Sequence, residues 1–402
     1  MVLGGIGMDV ILKLAIIALA GCLAGKLAKT VKLSNIFGFL LVGLVLGPSC
    51  FNLISHQDLA SLSIIGEIAL SILFFKIGSE FVVRDMRKLG RSFAIITLAE
   101  VAGAVLVVFS VLYFGLRQEL VFSLIMASMA AVTTPTATIM VMRQFRSDGP
   151  VTRTLIPVAA LDGVLGVFVF GVIVSIARQL SPGADLASWP VVAGFVLEVL
   201  GSMALGAVLG LLLTMIGKSA GDSDELLVMT VAMILASAGM ARALSLSPLL
   251  ANLVMGTVLV NLTQNSNRVF FGLHQFTPPI YLLFFTLAGA GVEAGVFLSI
   301  AALGLAYMLA RAAGKLLGAW LGSKGAAAEP TVQKYLGVAL LPQGGLSVAL
   351  AVLVHYHLPV ISPAVLAIAV CSVLVYEVTG PLIAKTAIRK AGEIRGMAST
   401  IS

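Results

Sequence analysis

Apolar residues in this chain run on in long blocks instead of alternating with polar ones. The blocks repeatedly reach about 20 residues, the length a helix needs to cross a bilayer. Lipid offers no partner to an unpaired backbone group, and the blocks lack the alternation of strands, so each is expected to be helical. They fall at 8–28, 35–53, 59–82, 91–115, 118–142, 153–177, 188–216, 224–243, 246–261, 275–294, 297–322, 332–355 and 362–386. The expected fold class is an all-α integral membrane protein with about thirteen transmembrane helices.

The blocks repeat. Segment two reads SNIFGFLLVGLVLGP and segment nine SPLLANLVMGTVLVN; segment three ends LFFKIGSEF and segment ten carries LLFFTLAGAGVE. Segment five contains TTPTAT and segment twelve PQGGLS, and both interrupt apolar stretches. Six helices, one linking helix and six more would set the two halves in opposite orientation. Such inverted repeats are a signature of secondary transporters, whose substrate site lies near the midplane between the repeats.

Composition agrees with the pattern. The chain is 402 residues long, 59% hydrophobic and only 11% charged, whereas a soluble domain carries roughly 25% charged residues. Its net charge of +7 is spread through short loops, which is a topology signal and excludes a nucleic-acid-binding stripe. Loops one, three, five, seven, nine and eleven hold Lys29, Lys32, Arg84, Arg87, Lys88, Arg91, Arg143, Arg146, Arg153, Lys218, Arg268, Lys324 and Lys334, and the tail adds Lys385, Arg389, Lys390 and Arg395. The even loops hold only Arg117, Arg178 and Arg242. The positive-inside rule then places the C-terminus in the cytoplasm and the N-terminus outside. No cleavable-signal pattern is expected, since Lys13 falls inside the first apolar run. Cys22, Cys50 and Cys371 are isolated, giving neither a disulfide framework nor metal spacing. No nucleophile–base pair or phosphate-binding glycine loop is present, so the chain reads as a non-enzyme with no cofactor.

Proline breaks a helix by removing a donor and clashing with the preceding turn. Thr133-Thr134-Pro135-Thr136 should break segment five, and Gln343-Gly344-Gly345 after Pro342 should break segment twelve. Broken helices at matched places of two repeats point to a transport site. A charge at the bilayer centre costs on the order of 3 kcal/mol, so an intramembrane Asp or Lys is a functional candidate by default. Asp162 lies nine residues beyond Arg153, or about 13 Å deep at 1.5 Å per residue; Lys315 and Thr134 lie at similar depth. A carboxylate there can hold either a proton or a small cation. Thr133, Thr134 and Thr136 hydroxyls and freed carbonyls complete the expected oxygen shell, with Lys315 neutralising Asp162 when no cation is bound. Arg311, one turn from Lys315, is expected to pair with a carboxylate or helix carbonyls. Glu67, Glu100, Glu198 and Glu377 also lie in or near spans, with nothing to choose between them.

NIFGFLLVGLVLGP, FFKIGSEFVVRDMRKLGR, TTPTATIMVMRQFRSDGPVTRTL, ALDGVLG, GKLLGAWLG, PQGGLSVALA and YEVTGPLIAK together resemble the monovalent cation/proton antiporter-2 family over roughly residues 10–387. The resemblance implies a homodimer in the plasma membrane, each protomer with a scaffold and an ion-binding core that moves against it like an elevator. The scaffold would comprise 1–90 and 221–295, the core 91–180 and 296–390, joined by a linker helix in 181–220, with a short cytoplasmic tail at 391–402. Segments five and twelve would cross at the site. Electrogenic members carry two adjacent aspartates where this chain has Asp162-Gly163.

The leading expectation is exchange of Na⁺ or K⁺ for protons, with Asp162 as the shared carboxylate and the lipid bilayer as the medium. Two alternatives stay open: a proton-coupled carrier of another solute, and a non-transporting sensor or scaffold on the same fold.

Overall fold

The computed structural model describes residues 9–31, 33–84, 90–134, 136–180, 189–218, 220–263 and 266–394. Among them it forms sixteen α-helices and no strand. These are α1 (Val10–Thr30), α2 (Asn35–Leu46), α3 (His56–Ser61), α4 (Ser63–Gly78), α5 (Arg91–Phe109), α6 (Leu120–Ala131), α7 (Thr136–Gln144) and α8 (Pro150–Gln179). The second half holds α9 (Trp189–Ile216), α10 (Ser223–Ala243), α11 (Pro248–Leu262), α12 (Ser266–Ala290), α13 (Ala294–Gly325), α14 (Pro330–Ala339), α15 (Gly345–His357) and α16 (Ser362–Lys390). Seven of them are long and apolar enough to cross a membrane, and four more apolar helices are shorter. The chain is a multi-pass integral membrane protein.

Local signals set the helix ends. Ser34 accepts from the Phe37 N–H and Asp222 from the Glu225 N–H, while Ser247 caps the helix that opens on Pro248. Segment three divides at Leu62, because Ser55 and Asp58 form a capping box that starts a separate short helix. Segment ten begins earlier than its apolar run suggests, at Ser266, and carries Pro278 and Pro279 inside the helix. Segment two stops at Leu46, one residue before Gly47-Pro48.

Backbone contact between helices reveals the repeat at atomic scale. Gly43 and Gly256 occupy the same place in the two matching segments. A Cβ on Gly43 would come 2.0 Å from the Thr286 carbonyl oxygen, and one on Gly256 would come 2.0 Å from that of Phe75. The partners reciprocate: Gly289 sits on the Leu40 carbonyl and Gly78 on that of Leu253, at 2.3 and 1.9 Å for a built Cβ. Thus α2 packs on α12 as α11 packs on α4, the exchange of partners expected of two repeats. Small residues permit this approach, the usual means of joining helices in lipid.

A second set of helices gathers round α5 and α13, which also meet backbone to backbone through Gly103, Gly314 and Gly318. Here α6 and α14 both stop short. After Ala131 the chain turns extended at Val132, and after Ala339 it stays irregular until Gly345 starts α15. The two breaks touch: Thr133 Oγ1 donates to the Leu340 carbonyl at 3.4 Å and Thr138 Oγ1 to that of Ala339 at 3.1 Å.

The helix that carries Asp162, α8, is capped from afar. Glu393 is buried; its Oε1 accepts from the Val151 N–H at 2.7 Å, and its Oε2 from the Thr152 N–H at 2.8 Å and Thr152 Oγ1 at 2.7 Å. A carboxylate there satisfies orphan donors and opposes the positive end of the helix dipole. Glu393→Ala is expected to cost about 1.5–3 kcal/mol, the range for hydrogen bonds to a charged group, seen as a lower midpoint of thermal unfolding in detergent. An unchanged midpoint would show that the cap contributes nothing.

Candidate functional site

Four helices contribute to one buried cluster where the broken helices meet. Lys315 of α13, Glu100 of α5 and Asp162 of α8 are each fully buried. The Lys315 Nζ donates to Thr133 Oγ1 at 2.6 Å, to the Ala131 carbonyl at 2.8 Å and to Asp162 Oδ2 at 3.2 Å, and makes a short hydrogen bond to Glu100 Oε1. Burying an isolated ammonium in apolar surroundings is prohibitive, and it is tolerated only when paired and hydrogen-bonded. Here two carboxylates, a hydroxyl and the open carbonyl at the end of α6 supply the compensation. The helix end helps, since its exposed carbonyls carry partial negative charge.

Arg311 lies one turn earlier on α13 and is also fully buried. It serves both breaks at once. Nη1 donates to the Leu341 carbonyl at 2.7 Å and Nη2 to the Val132 carbonyl at 3.1 Å, while the guanidinium lies 5.0 Å from the Tyr376 ring centroid. Of the two partner types expected for Arg311, the structure selects the carbonyls. Its fork ties the two interrupted helices to α13, a geometry that suits guanidinium better than ammonium.

The other expected residues fall as follows. Thr133 is in the cluster. Thr134 packs on Gly344, where an added Cβ would come 3.0 Å from the Thr134 side chain, and Thr134 Oγ1 is buried without a hydrogen bond. Gln343 Oε1 accepts from Ser372 Oγ at 2.6 Å, fixing the second break to α16. Gly345 lies against Phe285 and Ile36, with a built Cβ 2.7 and 2.8 Å away. Pro135 and the side chain of Thr136 lie outside the described residues. Gly163 has open space beside it, the nearest atom to a built Cβ being the Thr133 carbonyl oxygen at 4.0 Å.

Glu100 is the member that the sequence did not single out. The signal was available: it stands nine residues beyond Arg91, as Asp162 stands nine beyond Arg153. Glu67 and Glu198 pair elsewhere, with Arg242 at 2.5 Å and Arg178 at 2.7 Å. Each acid of the cluster gives one oxygen to Lys315, while Glu100 Oε2 and Asp162 Oδ1 are buried without a hydrogen bond. Bare carboxylate, hydroxyl and carbonyl oxygens form a donor set for a hard cation.

A family model described as the sodium/hydrogen exchanger, transmembrane, matches residues 14–388. The chain superposes on the sodium proton antiporter MjNhaP1 from Methanocaldococcus jannaschii at pH 8 with a TM-score of 0.76, covering 96% of this chain and 99% of that one at 18% identity. An electron-microscopy structure of the same antiporter gives a TM-score of 0.73 over 97% and 100% of the chains, at 17% identity. At those identities the likeness is one of fold. A curated protein named iron transporter MagA, from Paramagnetospirillum magneticum, is 28% identical over 254 residues, 62% of this chain and 56% of that protein. The matched region thus spans about half the length of that relative.

The cluster's mutual dependence is measurable. Lys315→Met leaves two carboxylates facing each other without a cation, and breaking a buried pair in this way costs about 3–5 kcal/mol. Detergent-solubilised Lys315→Met should therefore unfold at a clearly lower temperature than the wild type. A variant as stable as the wild type would mean that the ammonium does not hold the acids.

Proposed function

The chain belongs to the sodium/hydrogen exchanger family, and on that premise we propose that it is a secondary active antiporter exchanging Na⁺ or K⁺ for protons across the cell membrane. The family and fold are those of transporters, not enzymes. The observation that carries the reading is Asp162: fully buried at the junction of two broken helices, held by Lys315 at 3.2 Å through one oxygen, and with the other free of hydrogen bonds. A proton on that carboxylate and a cation beside it are alternatives, since each neutralises the same charge. Hydroxyls of Thr133 and Thr134 and carbonyls at the breaks complete the shell. Lys315 compensates Asp162 between the two loads, and Arg311 holds the breaks open by occupying their carbonyls. Oxygen donors alone, with no group of three or more His, Cys, Asp or Glu among the described residues, favour a monovalent hard cation over a transition metal.

Alternating access follows if the helices around α5 and α13 form a core, as the 91–180 and 296–390 division holds, and move against a scaffold of 1–90 and 221–295 with α9 as the link. Support comes from a cavity of about 410 Å³ between α3, α4 and α12 on one side and α15 and α16 on the other, lined by Gly66, Phe284, Val352 and Tyr356. It opens at the helix ends that the charge bias assigns to the outside, with the N-terminus. A homodimer joined through the scaffold leaves each core free to move.

The test is dye-monitored proton movement in proteoliposomes on addition of Na⁺, K⁺ or Li⁺, for the wild type and Asp162→Asn. Cation-driven flux in the wild type, reduced to the protein-free background by the substitution, is the expected result, and the ion that drives it names the substrate. Absence of flux from folded wild type, at every pH and with all three ions, would overturn exchange and leave the reading of a repurposed fold.

A further inference from the structure

We propose that the ends of α9, α10, α11 and α12 on the side that the loop charges assign to the cytoplasm form a binding site for an anionic phospholipid, with Lys218 and Arg268 taking its headgroup. The site lies apart from the buried carboxylates and stands or falls independently of the exchange reading.

A cavity of about 500 Å³ lies between these four helix ends, within the size range of ligand sites. Its lining is of two kinds. Leu213 of α9, Leu226 of α10, Leu259 and Leu262 of α11 and Val269 of α12 make it aliphatic. Its ionisable members are cationic: Lys218 just beyond α9 and Arg268 in the first turn of α12, with no Asp or Glu among the described residues that line it. Lys218 and Arg268 are the basic residues of loops seven and nine. Two helices separate those loops along the chain, and folding sets both cations round one cavity.

Both cations have hydrogens left to give. Among the described residues Arg268 forms one hydrogen bond, from Nε to Ser223 Oγ at 3.3 Å, which steadies the guanidinium and leaves Nη1 and Nη2 for a ligand. Lys218 is exposed and forms no hydrogen bond or ion pair among the described residues. Thr263 Oγ1 also lines the cavity, and its partner is Thr214 Oγ1 at 3.5 Å, the outer limit of a hydrogen bond.

The two kinds of lining select an amphiphile. A free inorganic anion would leave the aliphatic wall without a partner. A phospholipid meets both, with its phosphate at the cations and its glycerol and upper acyl chains on the leucines. The apolar lining continues onto the outer surface, since Leu262 is 53% exposed and Phe271, one turn beyond Arg268 on α12, is 67% exposed. Net negative charge is selected as well. The ammonium of a zwitterionic headgroup would find no carboxylate in the lining and would face two like charges. Basic pockets between transmembrane helices on the cytoplasmic side are a recurrent form of headgroup site. A lipid held here joins loop seven to loop nine, so binding should also stabilise the folded protein.

The experiment is native mass spectrometry and thermal unfolding of the full chain in detergent, with phosphatidylglycerol, phosphatidylcholine or inorganic phosphate added at equal concentration. The wild type is expected to retain phosphatidylglycerol in preference to phosphatidylcholine, and to unfold at a higher temperature with phosphatidylglycerol alone. Lys218→Gln/Arg268→Gln should weaken phosphatidylglycerol binding roughly 30-fold, at about 5-fold for each cation. Lys324→Gln/Lys334→Gln, which removes two basic residues of loop eleven on the same side, should keep it. Equal retention of phosphatidylcholine by the wild type would overturn headgroup selection. Equal stabilisation by inorganic phosphate would mark a free-anion site and overturn the lipid. Undiminished preference in Lys218→Gln/Arg268→Gln, or an equal loss in the loop-eleven variant, would overturn the location. Should the double variant fail to fold, Lys218→Gln, a substitution at an exposed position, decides alone through its expected loss of about 5-fold.

Discussion

A lysine ammonium buried in the middle of an apolar helix bundle has to be compensated from within the protein, and much of the core's construction answers that demand. Lys315 finds two carboxylates from two other helices and a hydroxyl and a carbonyl from the first break. The Ala131 carbonyl is free to accept only because of the interruption at Val132–Thr134, since a continuous helix would use its own carbonyls. The broken helix and the buried charges are thus one device. Arg311 extends it to the second break, binding a carbonyl at the end of α14 as well as one beyond α6. Two cations one turn apart on α13 meet two helix C-termini, where the dipoles favour them.

The rest of the fold brings these helices close enough. Lipid gives no hydrophobic drive for helices to associate, so contact depends on small residues and on hydrogen bonds. Glycines do this work in symmetric pairs, Gly43 with Gly256 and Gly78 with Gly289, and again along α5 and α13. Larger side chains at Gly314 or Gly318 would push Glu100 away from Lys315. The glycine stripe of α13 is accordingly part of what holds the Lys315 cluster together.

Much of this was legible in the chain. Run length marks the chain as a multi-pass helical membrane protein, because a bilayer sets the length of an apolar helix. Thr133-Thr134-Pro135 and Gln343-Gly344-Gly345 mark the breaks, because Pro and Gly act through the local backbone. Asp162 and Lys315 stand out because a charge is expensive at that depth. Partner choice was not legible. Glu67, Glu100, Glu198 and Glu377 look alike in sequence, and only the approach of α5 to α13 selects Glu100. For Arg311, carboxylate and carbonyl partners were equally open until the breaks met in space. Segment ten was read short because Asn267, Arg268 and Gln275 hide the start of α12 from a hydropathy window, and segment three was read whole because a single turn boundary at Leu62 leaves its apolar run intact.

Exchange as proposed requires that a proton and a cation compete for Asp162. Calorimetric titration of the detergent-purified protein with Na⁺ and K⁺, in two buffers of different ionisation enthalpy, measures it directly by counting protons released per cation bound. Competition for a shared carboxylate predicts the release of about one proton for each cation, and no such release from Asp162→Asn. Cation binding that frees no protons, or that survives in Asp162→Asn, would contradict it.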